Sequence, residues 1–157
     1  MTSHKFLCFA VCLFSAIESS ANEKPEPSSL QLLHEINRLR SNQCGQYTRS
    51  SSPKSLEWST QLAGLAGSHS HYLHHVQTLS HRSSSGATLG ERASNAGYEW
   101  LAIAENLAQT NSDIPNLAKL WMNSKQHRTN LCSAKYTEFG AHQDDGYWVA
   151  IFARPAN

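Results

Sequence analysis

The stretch "WMNSKQHRTNLC", residues 121–132, holds a large apolar residue, several polar residues and a cysteine within twelve positions. Trp121 ends an amphipathic run in which Leu117, Leu120 and Trp121 recur at helical spacing, so a helix should bury that face. Ser112 or Asp113 caps this helix and Pro115 fits its first turn. After Trp121, the residues His127, Arg128, Asn130 and Cys132 crowd into a turn. His127 there is a reactive group, a metal ligand or a polar cap, depending on what the rest of the chain brings to face it.

Working back towards the N-terminus, "LAIAENLA" (101–108) reads as a strand or extended turn, and it carries Glu105. Thr88 and Glu91 form a capping box ahead of a short helix, "LGERASNA", with Gly97 placed to stop it. Leu62, Ala63, Ala66, Tyr72 and Leu73 indicate a longer helix from Trp58 to near Leu79, packed closely through its alanines and Gly67. Ser28 and Gln31 form a second capping box, and Leu32, Ile36 and Leu39 mark the first helix. Between them "CGQYTRSSSPKS" is a loop. Towards the C-terminus, "TEFGAH", "QDDG" and "YWVAIFAR" read as a hairpin with imperfect alternation. Helices around a small antiparallel sheet make this an α+β chain, and no internal repeat is visible.

The chain has 157 residues, which suits one domain with a real core. At its start, Lys5 precedes the apolar run "FLCFAVCLFSAI", and Ser19 and Ala21 occupy the small-residue places of a signal-peptidase site. Residues 1–21 are therefore expected to be a signal peptide, 22–28 a flexible leader and 29–157 the single folded domain. The apolar run is shorter than the about 20 residues a membrane span needs. A secreted protein is expected, extracellular or periplasmic, with no transmembrane segment. The formal net charge is +1 and no Lys/Arg stripe exists, so nucleic acid is not an expected partner. A monomer is expected.

Cleavage removes Cys8 and Cys12 and leaves Cys44 and Cys132. In an oxidising compartment these read as one disulfide, with two buried thiols as the alternative.

Taken in order, "INRLR", "LEW" with "LAGLAGSHS", "LSH" before a Gly/Ser-rich loop, "GER" then "AGY", "AEN" with "LA", and Trp121 through "HRTN" resemble the CAP superfamily. That superfamily comprises the cysteine-rich secretory, antigen 5 and pathogenesis-related 1 proteins, also called SCP domains, and the likeness is to compact bacterial-type members over residues 29–154. The resemblance implies an α-β-α sandwich and a cavity lined by two histidines and two acids. His81 and His127 match the histidines and Glu105 matches the first acid. The second acid's place, three after the helix tryptophan, holds Ser124. Lys125 and Gln126 stand where Pro-Gly is common before the histidine.

On chemistry alone, His81, Glu105 and His127 could hold a zinc-like ion weakly, perform acid–base work, or simply hydrogen-bond one another. Arg92 either pairs with an acid or with a polar ligand at the cavity rim, or forms a helix-surface ion pair. Asn106 is expected to bond backbone, and Trp121 to fill the core beneath the cavity. His71 and His75, with His74 beside them, share a helix face that could take a divalent ion or could be solvated. His69 falls on the alanine-rich side as a satisfied, partly buried residue. The first functional reading is a secreted binding domain for a small apolar, lipid-like ligand or a divalent ion. A hydrolase using Ser124, His127 and Glu105 competes with it, although no G-x-S-x-G elbow is present. The third reading is an interaction module for a cell-surface or cell-wall partner.

Overall fold

A computed structural model describes residues 25–48 and 52–156. The expected signal peptide and residues 22–24 of the leader lie outside the described residues. Among the described residues there are five α-helices: α1 (Pro27–Asn42), α2 (Thr60–Val76), α3 (Leu89–Asn95), α4 (Ile114–Asn123) and α5 (Lys125–Leu131). Four strands, β1 (Glu57–Trp58), β2 (Trp100–Gln109), β3 (Glu138–Asp144) and β4 (Tyr147–Pro155), form one sheet in the order β1-β3-β4-β2.

The sheet is antiparallel along β2, β4 and β3 and mixed at its margin, because the two-residue β1 runs parallel to β3. Strand β4 is buried on both faces. Trp148, Ala150 and Phe152 pack into one core with Leu32, Ile36, Leu117, Trp121 and Leu131. Val149, Ile151 and Ala153 pack into a second core with Leu62, Ala66, Leu73 and Ala93. Burial on both sides is why apolar–polar alternation in "YWVAIFAR" is blurred. The layers are helix, sheet, helix.

Several local signals act as their chemistry dictates. Thr88 and Glu91 form the capping box of α3, Asp113 caps α4 through the Asn116 N–H, and Ser59 caps α2. Asp145 (φ 44°) and Gly146 (φ 80°) turn β3 into β4, the left-handed pair that matches strand twist in a two-residue hairpin. Cys44 and Cys132 are bonded across a sequence separation of 88.

Three expectations are corrected. Helix α1 starts at Pro27 with Glu26 as N-cap and no side-chain cap, so Ser28 lies inside the helix and forms no capping box. Proline's fixed φ suits the first helical turn better than a serine cap one residue later. Leu120 is exposed while Leu117 and Trp121 are fully buried, so the apolar face of α4 is narrower than its sequence suggests. The turn expected after Trp121 is a second helix, α5, reached through Ser124 in an extended conformation.

Candidate functional site

Glu105 lies on β2, an edge strand, and shares a face with Ile103 and Leu107 because side chains alternate along a strand. That face meets α2 and α3. The Glu105 side chain is only 2% exposed, and a buried carboxylate must be paired to remain charged. It is paired twice. Arg92 of α3 donates through Nη2 to both carboxylate oxygens, at 2.8 and 3.0 Å, and His81 donates through Nδ1 to Oε1 at 2.9 Å.

Burial pushes the Glu105 pKa up, but the His81 hydrogen bond and the Arg92 charge outweigh it and hold the carboxyl below its ordinary value. The same hydrogen bond raises His81, against the opposing effect of burial. His81 is more than half exposed, so the pair joins a buried carboxylate to an imidazole that reaches solvent.

His127 belongs to α5, on the other face of β2. Asn106 points to that face and donates to the His127 backbone oxygen at 3.1 Å, while Asn130 donates to Asn106 Oδ1 at 2.9 Å. The His127 ring lies 6.5 Å from that of Trp121, and its buried Nδ1 has no hydrogen-bond partner. Burial, reinforced by the charge of His81, lowers its pKa. The His81–Glu105 pair is thus assembled with Arg92, and His127 flanks it without joining its hydrogen bonds.

This donor set does not fit a resident divalent ion. Both Glu105 oxygens are taken by Arg92, whose own charge opposes a cation, and Ser124 adds no carboxylate. Among the described residues, no group of three or more His, Cys, Asp or Glu side chains stands where it could hold a metal ion. The nucleophile arrangement is likewise unassembled. Ser124 links α4 to α5, its hydroxyl makes no hydrogen bond to His127, and Glu105 orients His81 instead.

Arg92 is placed more deeply than a surface ion pair would be, at 11% exposure, and its Nε and Nη1 are buried without partners. Unpartnered buried donors each cost on the order of 1–3 kcal/mol. Next to it lies His69, the residue whose importance sequence reading missed. His69 is 2% exposed; its Nε2 donates to the Ser80 carbonyl at 2.8 Å. Burial, then the charge of Arg92, pushes its pKa down. Its Nδ1 is buried and also unpartnered. Arg92 and His69 both line a pocket of about 390 Å³ between α2, α3 and the serine-rich loop, with Leu65 and Tyr72 as apolar wall. The only sequence sign was a histidine on an alanine-rich helix face.

The histidines further along α2 do find carboxylates, from a distant segment. His71 and His74 bond the two oxygens of Asp144 at 2.8 and 3.0 Å, and His74 Nε2 is 3.4 Å from Asp145. His75 takes no part. Tyr98, which sequence left without a role, donates to Glu138 at 2.8 Å.

The model of the cysteine-rich secretory protein family, CAP, matches residues 33–152. Solved structures similar to this chain include an extracellular protein containing an SCP domain from Bacillus anthracis, at 27% identity and TM-score 0.66, covering 80% of this chain and 41% of that one. An outer surface protein from Borrelia burgdorferi aligns at 21% identity and TM-score 0.67, covering 80% of this chain and 91% of that one. A cysteine-rich secretory protein from Staphylococcus aureus aligns at 23% identity and TM-score 0.59, covering 84% and 41%. The chain thus spans about two-fifths of the Bacillus and Staphylococcus proteins, 41% of each. At 21% and 23% identity the Borrelia and Staphylococcus likenesses concern the fold alone. No curated protein matches the chain significantly.

Proposed function

Because the chain belongs to the cysteine-rich secretory protein (CAP) family, matched over residues 33–152, we propose that it is a secreted binding domain for a small amphipathic ligand. The observation that carries this reading is the Glu105–Arg92–His81 unit beside the α2/α3 pocket. All three side chains are held in fixed geometry, and the carboxylate has no free oxygen with which to abstract a proton. A fixed polar group at the wall of a partly apolar pocket is the arrangement by which ligand sites set orientation.

Secretion is supported by two observations. One of the similar structures, at 27% identity, is an extracellular protein. The Cys44–Cys132 bond suits an oxidising compartment.

The test is a thermal-shift series on the exported protein with neutral, cationic and anionic six-carbon amphiphiles. Stabilisation by at least one, saturating with concentration, is the expected result. Absence of any shift, with no small molecule extracted from the purified protein by organic solvent, would sink the reading.

A further inference from the structure

The N-terminus of α1, the middle of α2 and β3 border a second pocket, of about 300 Å³, in which none of Glu105, Arg92 and His81 takes part. Ala63, Gly64 and Gly67 of α2, with Ala141 of β3, leave it open because their side chains are small, and Trp58 adds an aromatic wall. Two accessible acceptors meet there. Glu26 is the N-cap of α1: its carbonyl accepts from the Ser29 and Leu30 N–H groups at 3.0 and 3.1 Å, which anchors the residue, while its side chain caps nothing. The Glu26 side chain is 50% exposed. His142 of β3, 36% exposed, places Nε2 at 3.8 Å from Glu26 Oε1, beyond hydrogen-bond length.

The His142 ring is oriented through its other nitrogen. Ser70 gives its single hydroxyl proton to the Gly67 carbonyl at 3.0 Å, so its oxygen accepts from His142 Nδ1 at 3.1 Å. On this network Nδ1 holds the proton, and Nε2 of the neutral ring holds a lone pair. A carboxylate oxygen and an imidazole lone pair thus face one open space, and among the described residues no donor bridges them. No Lys or Arg lines the pocket.

We propose that this pocket binds a small primary amine as its ammonium: N–H groups donate to Glu26 Oε1 and His142 Nε2, and a short apolar body lies against Trp58 and the small side chains. The 3.8 Å gap suits such a bridge, since one nitrogen can sit at hydrogen-bond distance from both acceptors. An anion would meet Glu26 with no cation in the wall to offset it. A divalent ion would find one carboxylate and one imidazole, and among the described residues no group of three or more such side chains could hold it. These side chains are not those of the Glu105 unit, so the amine site is independent of the small-ligand reading above.

The experiment is isothermal titration of the exported protein at pH 8 with hexylammonium, hexyltrimethylammonium, 1-hexanol and hexanoate. Hexylammonium should bind about tenfold or more tighter than 1-hexanol and hexanoate, as a charge-assisted hydrogen bond allows. Hexyltrimethylammonium carries the charge but has no N–H to give, and should bind more weakly than hexylammonium.

Glu26→Gln should weaken hexylammonium by about tenfold, and His142→Phe should weaken it to a lesser degree, with circular dichroism unchanged in both. A Cβ at Gly64 meets nothing within 4 Å, so Gly64→Trp can fill the pocket without straining α2 and should abolish binding. Equal binding of 1-hexanol, equal binding of the trimethyl analogue, or hexylammonium binding that survives Glu26→Gln or Gly64→Trp would overturn the proposal. So would absence of hexylammonium binding, which would leave water as the bridge between Glu26 and His142.

Discussion

Arg92 is the residue on which the local electrostatics turn. Replacing it by methionine removes both hydrogen bonds to a carboxylate that is almost wholly buried. Breaking a buried pair from one side costs about 3–5 kcal/mol, since the remaining charge is left uncompensated. Arg92→Met should therefore be severely destabilised in urea, and adding Glu105→Gln should recover much of the loss. Additive losses in that double-mutant cycle would refute the pairing. Ser124→Ala should be nearly silent, within about 0.5 kcal/mol, because its hydroxyl bonds nothing. The same inertness predicts no labelling by a fluorophosphonate probe; labelling of Ser124 would return the hydrolase to first place. His81, Arg92 and Glu105 were individually legible in the sequence, and a His81–Glu105 hydrogen bond and an Arg92–acid pair stood among the alternatives, but nothing in the sequence joined all three. They lie 11 and 13 positions apart on a loop, a helix and a strand, and no local periodicity joins such positions. The burial of Arg92 was equally hidden, since its neighbours Glu91 and Asn95 are exposed.

At the scale of elements, signals confined to three or four residues were largely legible, except that Pro27 starts α1 ahead of the Ser28–Gln31 pattern, and signals that depend on packing were not. The Thr88 capping box and the Asp-Gly hairpin need nothing beyond their own backbone. Helix α5 has seven residues, too few for a hydrophobic period to emerge, and the two-residue β1 exists only because β3 offers an edge. Two contacts between elements invite measurement. A Cβ at Gly140 of β3 would collide with the backbone of Leu62 and Ala63 in α2. Backbone cannot give way as a side chain can, so Gly140→Ala should cost about 1–3 kcal/mol; an unchanged denaturation midpoint would show that α2 does not sit so close. The Cys44–Cys132 bond closes a long loop, for which the chain-entropy model gives about 4–5 kcal/mol. Cys44→Ala with Cys132→Ala should lose a stability of that order. Arg40 keeps the same region closed even then, since its buried guanidinium donates to the carbonyls of Lys54, Leu131 and Ser133.

For the whole molecule, the histidines with shifted titration oppose one another, and the balance is visible in how stability varies with pH. His81 is raised by its bond to Glu105. Its contribution is complete below the unfolded value of about 6.5 and is lost as pH rises through the folded value. His69 and His127 are lowered, chiefly by burial. For them the unfolded chain takes up protons first, so stability is lost as pH falls below about 6.5. Glu105 and Asp144 are lowered as well, and their contributions disappear only in stronger acid, as pH falls through their depressed folded values. Between pH 6 and 8 the wild-type curve therefore sums one falling contribution and two rising ones. His81→Gln, which can still donate to Glu105, removes the falling contribution, so its stability should climb more steeply from pH 6 to pH 8 than that of the wild type. His127→Gln removes a rising contribution and should tilt the curve the other way. Urea denaturation at pH 6, 7 and 8 measures both slopes. Parallel curves for wild type and His81→Gln would mean that His81 is not bonded to Glu105 in solution, and the polar unit beside the α2/α3 pocket would then lose its solvent-facing member.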